Sequence, residues 1–155
     1  MERLFGDDIH PRLSDDGKIV IEYWRDKCGA QDVPFMGDID LPDLAKQAPH
    51  CELVDVSHDP RRRVYRFVGT EEAMLRESDP TGLTVEEGFF CGTVGEVLES
   101  YNLVIDRREP MVVVAEVVKK SGYTVMDVGL FLPLAGPGGT VDRVLTYAEQ
   151  SPLVD

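Results

Sequence analysis

The helical patterns that follow the first two predicted strands of this chain fall in one block, before the third strand begins. Alternation of polar and apolar residues, bounded by turn-forming residues, predicts five strands, at 51–57, 63–69, 111–120, 123–134 and 141–148. A doubly wound sheet needs a helix after nearly every strand, and this order does not provide one. We therefore predict the α+β class: a five-stranded antiparallel sheet with helices on one face.

The strongest helical pattern lies within that block. Thr93 begins a Thr-x-x-Glu capping box, and the helix that follows is predicted to run to about Asp106, with apolar residues at helical spacing. Thr84 begins a second capping box for a shorter helix, and Thr70 is predicted to cap another at 71–78. Together these helices supply the layer that covers the sheet.

Two more helices are predicted before the first strand. A short one at 43–48 ends at Pro49, and a longer one spans Asp15–Lys27. The longer helix carries an apolar stripe, which consists of Val20, Tyr23, Trp24 and Cys28. This stripe can cover the open face of its own sheet, pack against a second copy, or do both. We predict that it forms a homodimer interface, since two-fold contacts are the commonest in oligomers.

The length and the order of these elements set the predicted domain limits. The chain has 155 residues, which is enough for one domain. We predict a loose N-terminal segment at 1–13, a single domain at 14–149 and a C-terminal tail at 150–155.

The net charge of the chain argues against nucleic-acid binding. The sequence has 29 acidic and 16 basic residues, a formal charge of −13, whereas phosphate backbones select clustered Lys and Arg. No apolar run approaches the ~18 residues of a membrane span, and the acidic N-terminus lacks the pattern of a signal peptide. The three cysteines have neither a disulfide framework nor CxxC spacing. We expect a cytoplasmic protein with no membrane span.

No sequence string of a known catalytic or metal site is present. We interpret Asp38 and Asp40 as a solvated acidic loop rather than a carboxylate pair for acid/base work. Asp127 or Asp55 would be the base of a cavity-bearing enzyme, but neither is predicted to lie on an apolar strand face beside a second acid. Arg66 interrupts an apolar strand, and we predict that it is solvated, because an unpaired buried charge is costly. We therefore predict no catalytic residue and no metal site.

Several segments resemble one known family when they are taken in order. They are Tyr23-Trp24-Arg25, Asp38-Ile39-Asp40-Leu41-Pro42, Tyr65-Arg66-Phe67-Val68-Gly69-Thr70, Asp79-Pro80-Thr81-Gly82, Leu132-Pro133-Leu134 and Val141-Asp142-Arg143-Val144-Leu145. In this order and spacing they are similar to a divergent bacterial, chiefly proteobacterial, branch of the PAS domain superfamily. The resemblance covers about Ser14 to Ala148.

The resemblance implies a PAS fold, with strand order 2-1-5-4-3 and a small cavity between a long helix and the sheet. It implies a sensor or dimerising interaction module, not an enzyme. Haem-binding PAS domains place a histidine on the long helix, and the helix predicted here has none. The Asn-Cys-Arg-Phe-Leu-Gln string of flavin photoreceptors is also missing. We expect no haem or flavin cofactor, which leaves fatty acids, small apolar metabolites or an empty cavity.

The predicted cavity is lined by apolar side chains that have no other surface to cover, and a tyrosine supplies one polar group. These residues are Phe89, Phe90, Leu98, Tyr101, Met126, Val128 and Leu130. The predicted function is a stand-alone sensor or adaptor that dimerises, takes up a small apolar ligand and regulates a signalling partner that the sequence does not identify. The alternatives are a ligand-free interaction scaffold and, less favoured, an acid/base enzyme.

Overall fold

Six strands form one antiparallel sheet in the computed structural model, which describes residues 1–119 and 121–152. The strands are β1 (Glu2–Leu4), β2 (Cys51–Ser57), β3 (Arg62–Val68), β4 (Met111–Val118), β5 (Thr124–Ala135) and β6 (Val141–Pro152). Their order across the sheet is β1-β4-β5-β6-β2-β3. Without β1 this is the predicted order 2-1-5-4-3. The predicted fold is therefore confirmed, with one additional strand at the β4 edge.

The N-terminal segment at 1–13 is ordered rather than loose. β1 pairs with β4 so that Glu2 lies opposite Val114 and Leu4 opposite Val112. Two short 3₁₀ helices follow, and Ile9 between them is buried in the core. A three-residue strand is too short to show alternation, which is why the sequence pattern does not reveal it.

The C-terminal strand is longer than predicted. β6 continues past residue 148 to Pro152, because β5 is twelve residues long and pairs with it over most of that length. Residues 150–152 of the segment predicted as a tail at 150–155 therefore belong to the sheet. Residues 153–155 lie outside the described residues, as does Lys120, the predicted end of the third strand.

In the described part of the chain, four α-helices accompany the sheet: α1 (Asp15–Cys28), α2 (Thr70–Arg76), α3 (Val85–Gly88) and α4 (Val94–Arg107). Both predicted capping boxes are present, at the starts of α3 and α4. Gly69, not Thr70, is the N-cap residue of α2. The α-helix predicted at 43–48 is replaced by two 3₁₀ helices, Leu41–Leu44 and Ala48–His50. Each has a proline in its first turn, which disfavours the α conformation in the residue before it.

The sheet has a hydrophobic core on each face. α4 packs on one face, where Tyr101, Val104 and Ile105 join the inward residues of the strands. α1 packs on the other face, and its Val20 and Trp24 are 0% and 4% exposed. The Trp24 Nε1 group also donates a hydrogen bond of 2.8 Å to the carbonyl of Pro133 in β5. Helices therefore cover both faces, not one.

This packing corrects the predicted homodimer interface. Val20 and Trp24 already contact their own sheet, so they are not available to a second copy. Tyr23 is half-buried, and its hydroxyl donates to the Asp43 carboxylate at 2.9 Å and accepts from the Asp40 amide at 2.9 Å. Cys28 is also half-buried against the same core. The helix covers the open sheet face because a six-stranded sheet with α4 on one side leaves an apolar second side.

Among the described residues, no helix combines the length and the apolar character that crossing a membrane requires.

Candidate functional site

A small cavity of about 90 Å³ lies between α4 and the sheet. Its position agrees with the expectation from the sequence, but its chemistry does not, since it is lined by charged and hydroxyl groups as well as aromatic rings. The polar residues that face it from six different elements are Glu52, Tyr65, Glu72, Arg76, Tyr101, Asp127 and Thr146. The expected apolar pocket is therefore a charged one.

The predicted lining residues divide between the two faces of the sheet. Phe89, Phe90 and Tyr101 line the cavity, whereas Leu98 packs in the same core without facing it. The remaining three predicted residues, Met126, Val128 and Leu130, lie on the opposite face, against the core formed with α1.

The correction on β5 has a simple geometric cause. Alternate residues of a strand face opposite sides, so the wholly apolar set on β5 faces α1. The mixed set, Asp127, Gly129 and Phe131, faces the cavity. Choosing the apolar set as the cavity wall therefore selected the wrong face of a strand that is covered on both sides.

Arg76 is the centre of the site. It lies in the last turn of α2, and its side chain is 8% exposed. Its Nη2 lies 2.9 Å from the Glu52 carboxylate, Nε donates to the carbonyl of Gly88 at 3.0 Å, and Nη1 donates to the carbonyl of Glu72 at 3.2 Å. Carbonyls at the end of a helix lack partners within the helix, so the contact with Gly88, the last residue of α3, also stabilises the end of that helix. The guanidinium thus joins α2, β2 and the end of α3.

Aromatic rings complete the surroundings of Arg76. Its guanidinium lies 5.4 Å from the centre of the Tyr65 ring and 5.8 Å from that of Phe90. Gly88 permits the close approach of this region to β3, because a Cβ there would lie 2.7 Å from the Pro80 side chain and 3.0 Å from the Tyr65 ring. The aromatic rings are therefore held against a cation, an arrangement that favours positive charge.

The carboxylates outnumber the cation. Glu52, Glu72 and Asp127 face the cavity, and Arg76 is the one basic residue among its described lining. The Glu72 carboxylate lies 3.9 Å from Arg76 Nη1 and has no hydrogen-bond donor among the described residues. Burial, followed by the charges of Glu52 and Asp127, raises the pKa of Glu72 to about 9. Glu72 therefore keeps its proton at neutral pH.

The other ionisable groups are also shifted by burial. Burial raises the pKa of Glu52, although the Arg76 charge opposes the rise. It also raises the pKa of Asp127, against the effect of a 3.2 Å hydrogen bond from Gln150. Burial raises the pKa of Cys91 to about 11, so this cavity-lining thiol is not a thiolate at neutral pH.

Tyr101 presents a second polar group to the cavity. The residue is 2% exposed, its ring contacts Phe131 edge-on at 5.2 Å, and its hydroxyl makes no hydrogen bond with the described residues. Burial raises the pKa of Tyr101 well above its ordinary value, so the hydroxyl stays neutral. It can donate or accept one hydrogen bond to a guest in the cavity.

The remaining sequence candidates lie outside the cavity. Arg66 is exposed and pairs with Asp55 at 3.3 Å, so the prediction that it is solvated is confirmed. Asp55 also contacts Arg143 at 2.7 Å and does not face the cavity, whereas Asp127 does, beside two glutamates. The expectation that Asp127 has no neighbouring acid is therefore wrong.

Metal-ligating residues do not cluster in the described part of the chain, where no group of three or more His, Cys, Asp or Glu side chains is placed to hold an ion. Asp38 and Asp40, weighed above as a carboxylate pair, are both exposed.

Comparison with known proteins identifies the fold to which this cavity belongs. The sequence profile of a family described as "PAS domain" matches residues 14–148. Among solved structures, a light-oxygen-voltage domain studied with a flavin analogue aligns with a TM-score of 0.54 and 16% identity, over 72% of this chain and 83% of that one. A variant of the fungal photoreceptor VVD aligns with a TM-score of 0.50 and 13% identity, over 90% and 99%. None of the curated proteins matches the sequence.

The cavity does not fit the flavin that the first of these neighbours suggests. Sites for drug-sized ligands enclose roughly 300–1,000 Å³, well above the volume found here. Haem, which is larger still, fits no better.

Proposed function

This chain belongs to the PAS domain family, and from that membership we propose that it is a sensory domain which registers a small polar signal at its charged cavity and relays it to a protein partner. The observation that carries the proposal is the buried group of Arg76 with three carboxyl groups at the cavity between α4 and the sheet. The sequence led us to expect a small apolar ligand, but because the lining is polar we propose a small polar one.

The cost of such a site supports a role in sensing. A domain that served only as a scaffold would be more stable with apolar side chains at these positions, because buried charges lose their hydration. Three carboxyl groups beside one guanidinium leave a charge imbalance that a proton or a cation must correct. The charge state of the cavity therefore depends on what is dissolved around the protein.

The contacts of Arg76 offer a route by which a change in the cavity can reach the protein surface. The side chain is carried by α2, a helix of seven residues, and is bonded to β2 and to Gly88 at the end of α3. A groove on the outer side of α2 has Arg76, Phe89 and Phe90 in common with the cavity. Exposed apolar side chains, those of Met74 and Val118, lie on the walls of this groove. A shift of Arg76 would therefore change a surface that a partner can contact.

The experiment changes the charge of the cavity at a residue on β5, which is far from α2 in the sequence. Asp127→Asn removes one cavity charge from β5, and hydrogen–deuterium exchange is then measured across the chain. The proposal predicts several-fold altered exchange in α2 (Thr70–Arg76) as well as in β5. Glu116→Gln, an exposed acid on β4, is the matched control and should leave α2 unchanged. Altered exchange confined to β5 would contradict the proposal.

A ligand-free interaction scaffold is the second candidate. The small volume of the cavity favours it, since most of the space between α4 and the sheet is already filled. Native mass spectrometry of fresh protein distinguishes a protein that retains a ligand of appreciable mass from an apoprotein.

We also propose that the domain forms a homodimer in which Val20 and Trp24 are not the contacts. Light scattering of the purified chain tests this directly.

A further inference from the structure

We propose that the cavity between α4 and the sheet binds a small organic cation of the ammonium or guanidinium class. This inference rests on the proposed sensory function and names the chemistry of its ligand.

The distribution of charge in the cavity calls for a cation. Arg76 is committed to Glu52 at 2.9 Å and to two backbone carbonyls. Glu72 and Asp127 face the same cavity from α2 and β5 without a second basic residue in the described lining. Carboxylates accept hydrogen bonds and carry negative charge, so the guest they select presents N–H donors and positive charge.

Polar groups that face the cavity without a hydrogen bond from the described residues point to a guest as well. The Tyr101 hydroxyl, on a residue that is 2% exposed, makes no hydrogen bond with the described residues. The Glu72 carboxyl, on a side chain that is 4% exposed, likewise has no donor within hydrogen-bond distance among them. Buried polar groups are almost always hydrogen-bonded in folded proteins, and both of these face the cavity.

The aromatic lining suits the same guest. Tyr65 and Phe90 already flank the Arg76 guanidinium at 5.4 Å and 5.8 Å. Phe131 and Tyr101 face the cavity from β5 and α4. Aromatic faces attract cations, most strongly where water is excluded, so rings and carboxylates act together on one guest.

The volume limits the size of the guest. About 90 Å³ is the liquid volume of about three waters, so the guest has about four non-hydrogen atoms at most. Ammonium, methylammonium and guanidinium lie within this limit, and guanidinium presents parallel N–H groups that match a carboxylate. A fatty acid or a larger metabolite cannot lie wholly within this volume.

Binding should be linked to the proton on Glu72. Glu52 from β2, Asp127 from β5, and Arg76 and, least strongly, Glu71 from α2 act on this carboxyl. Tyr65, Tyr101 and Cys91 are neutral around it. With a pKa of about 9, Glu72 is protonated at neutral pH and must release its proton to pair with a cation. Affinity should therefore rise as pH increases towards 9, by up to tenfold per pH unit.

The test compares guanidinium with urea, which is planar, has the same number of non-hydrogen atoms and is neutral. Each is titrated at millimolar concentration into the wild-type protein at pH 8.5, with NaCl matching the ionic strength, and followed by calorimetry and amide NMR. We expect saturable binding of guanidinium and none of urea. Glu72→Gln and Asp127→Asn should each weaken binding at least tenfold, while Glu71→Gln, the exposed neighbour on α2, leaves it unchanged.

A cavity-filling variant gives a second, charge-neutral test. Gly129 has an ordinary backbone conformation, and a Cβ there would lie 3.4 Å from the Phe131 ring and 4.0 Å from the Asp127 carboxylate, in the cavity. Gly129→Val should abolish guanidinium binding without changing the charge of the protein. If Glu72→Gln or Asp127→Asn fails to fold, Gly129→Val still tests the inference. The comparison of guanidinium with urea on the wild-type protein tests it as well.

Two results would overturn the inference: equal responses to guanidinium and urea, or no saturable response to ammonium, methylammonium or guanidinium. If no cation binds while Asp127→Asn still alters exchange in α2, the cation is wrong but the sensory cavity stands, with the proton as its signal. If α2 also fails to respond, the proposed function itself is wrong.

Discussion

Replacing Glu72 by glutamine should make the protein more stable at neutral pH. Glu72 has a pKa of about 9 in the folded protein, against 4.5 for the ordinary side chain. The folded state therefore holds a proton that the unfolded state has released between these two pH values. Because the folded state binds more protons there, stability falls as pH rises from about 4.5 to about 9.

The magnitude at pH 7 depends on the unfolded pKa alone, since the folded pKa lies above 7. Each pH unit above 4.5 costs about 1.4 kcal/mol, so the wild-type protein loses about 3 kcal/mol by pH 7. Glutamine resembles the protonated acid and has no proton to lose. Glu72→Gln should therefore be more stable by up to about 3 kcal/mol at pH 7, and equal to wild type near pH 4.

Urea denaturation followed by circular dichroism measures this directly. With a slope of about 1–3 kcal/mol per M, the midpoint should rise by about 1–3 M at pH 7. Glu71→Gln is the control, because Glu71 is exposed on the same helix and should show no such gain. A Glu72→Gln variant that is less stable than wild type at pH 7 would refute the reasoning, since it would mean that Glu72 is ionised and paired with Arg76.

Three further predictions follow from the packing and the cavity. Arg76→Gln leaves Glu52 without its partner and should cost about 3–5 kcal/mol in urea denaturation, whereas Arg66→Gln, which breaks an exposed pair, should cost at most about 1 kcal/mol. Trp24→Glu should lose at least about 3–5 kcal/mol and unfold, as judged by circular dichroism; a soluble, folded monomer in light scattering would instead support the dimer role of this residue. Purified protein should show no haem or flavin absorption, because the cavity fits neither group, and a stoichiometric chromophore would contradict that fit.

The sequence predicted the positions of the helices and strands better than it predicted which side of each strand faces which helix. Capping boxes and alternation are local signals, so the helix that begins after Thr93 and the strand Cys51–Ser57 were placed correctly. The strand Thr124–Ala135 is covered on both sides, and its alternation alone does not say which side faces α4. Which side faces α4 depends on α1 covering the second face of the sheet, and this is a tertiary contact that the local sequence pattern does not contain.

The charged centre was missed for the same reason. Glu52 and Arg76 are 24 positions apart, and no local pattern brings them together. One signal was present: Arg76 is the single base among eight acids between residues 71 and 100. An isolated base among acids is what a buried ion pair requires.

The central claim, that the charge state of the cavity controls α2, is tested most directly by NMR titration of the Glu72 carboxyl carbon together with the α2 amides. The account predicts that the carboxyl titrates near pH 9 and that the amides of Thr70–Arg76 shift with the same midpoint. A Glu72 midpoint near its ordinary value of 4.5, or α2 amides that do not follow the titration, would contradict it.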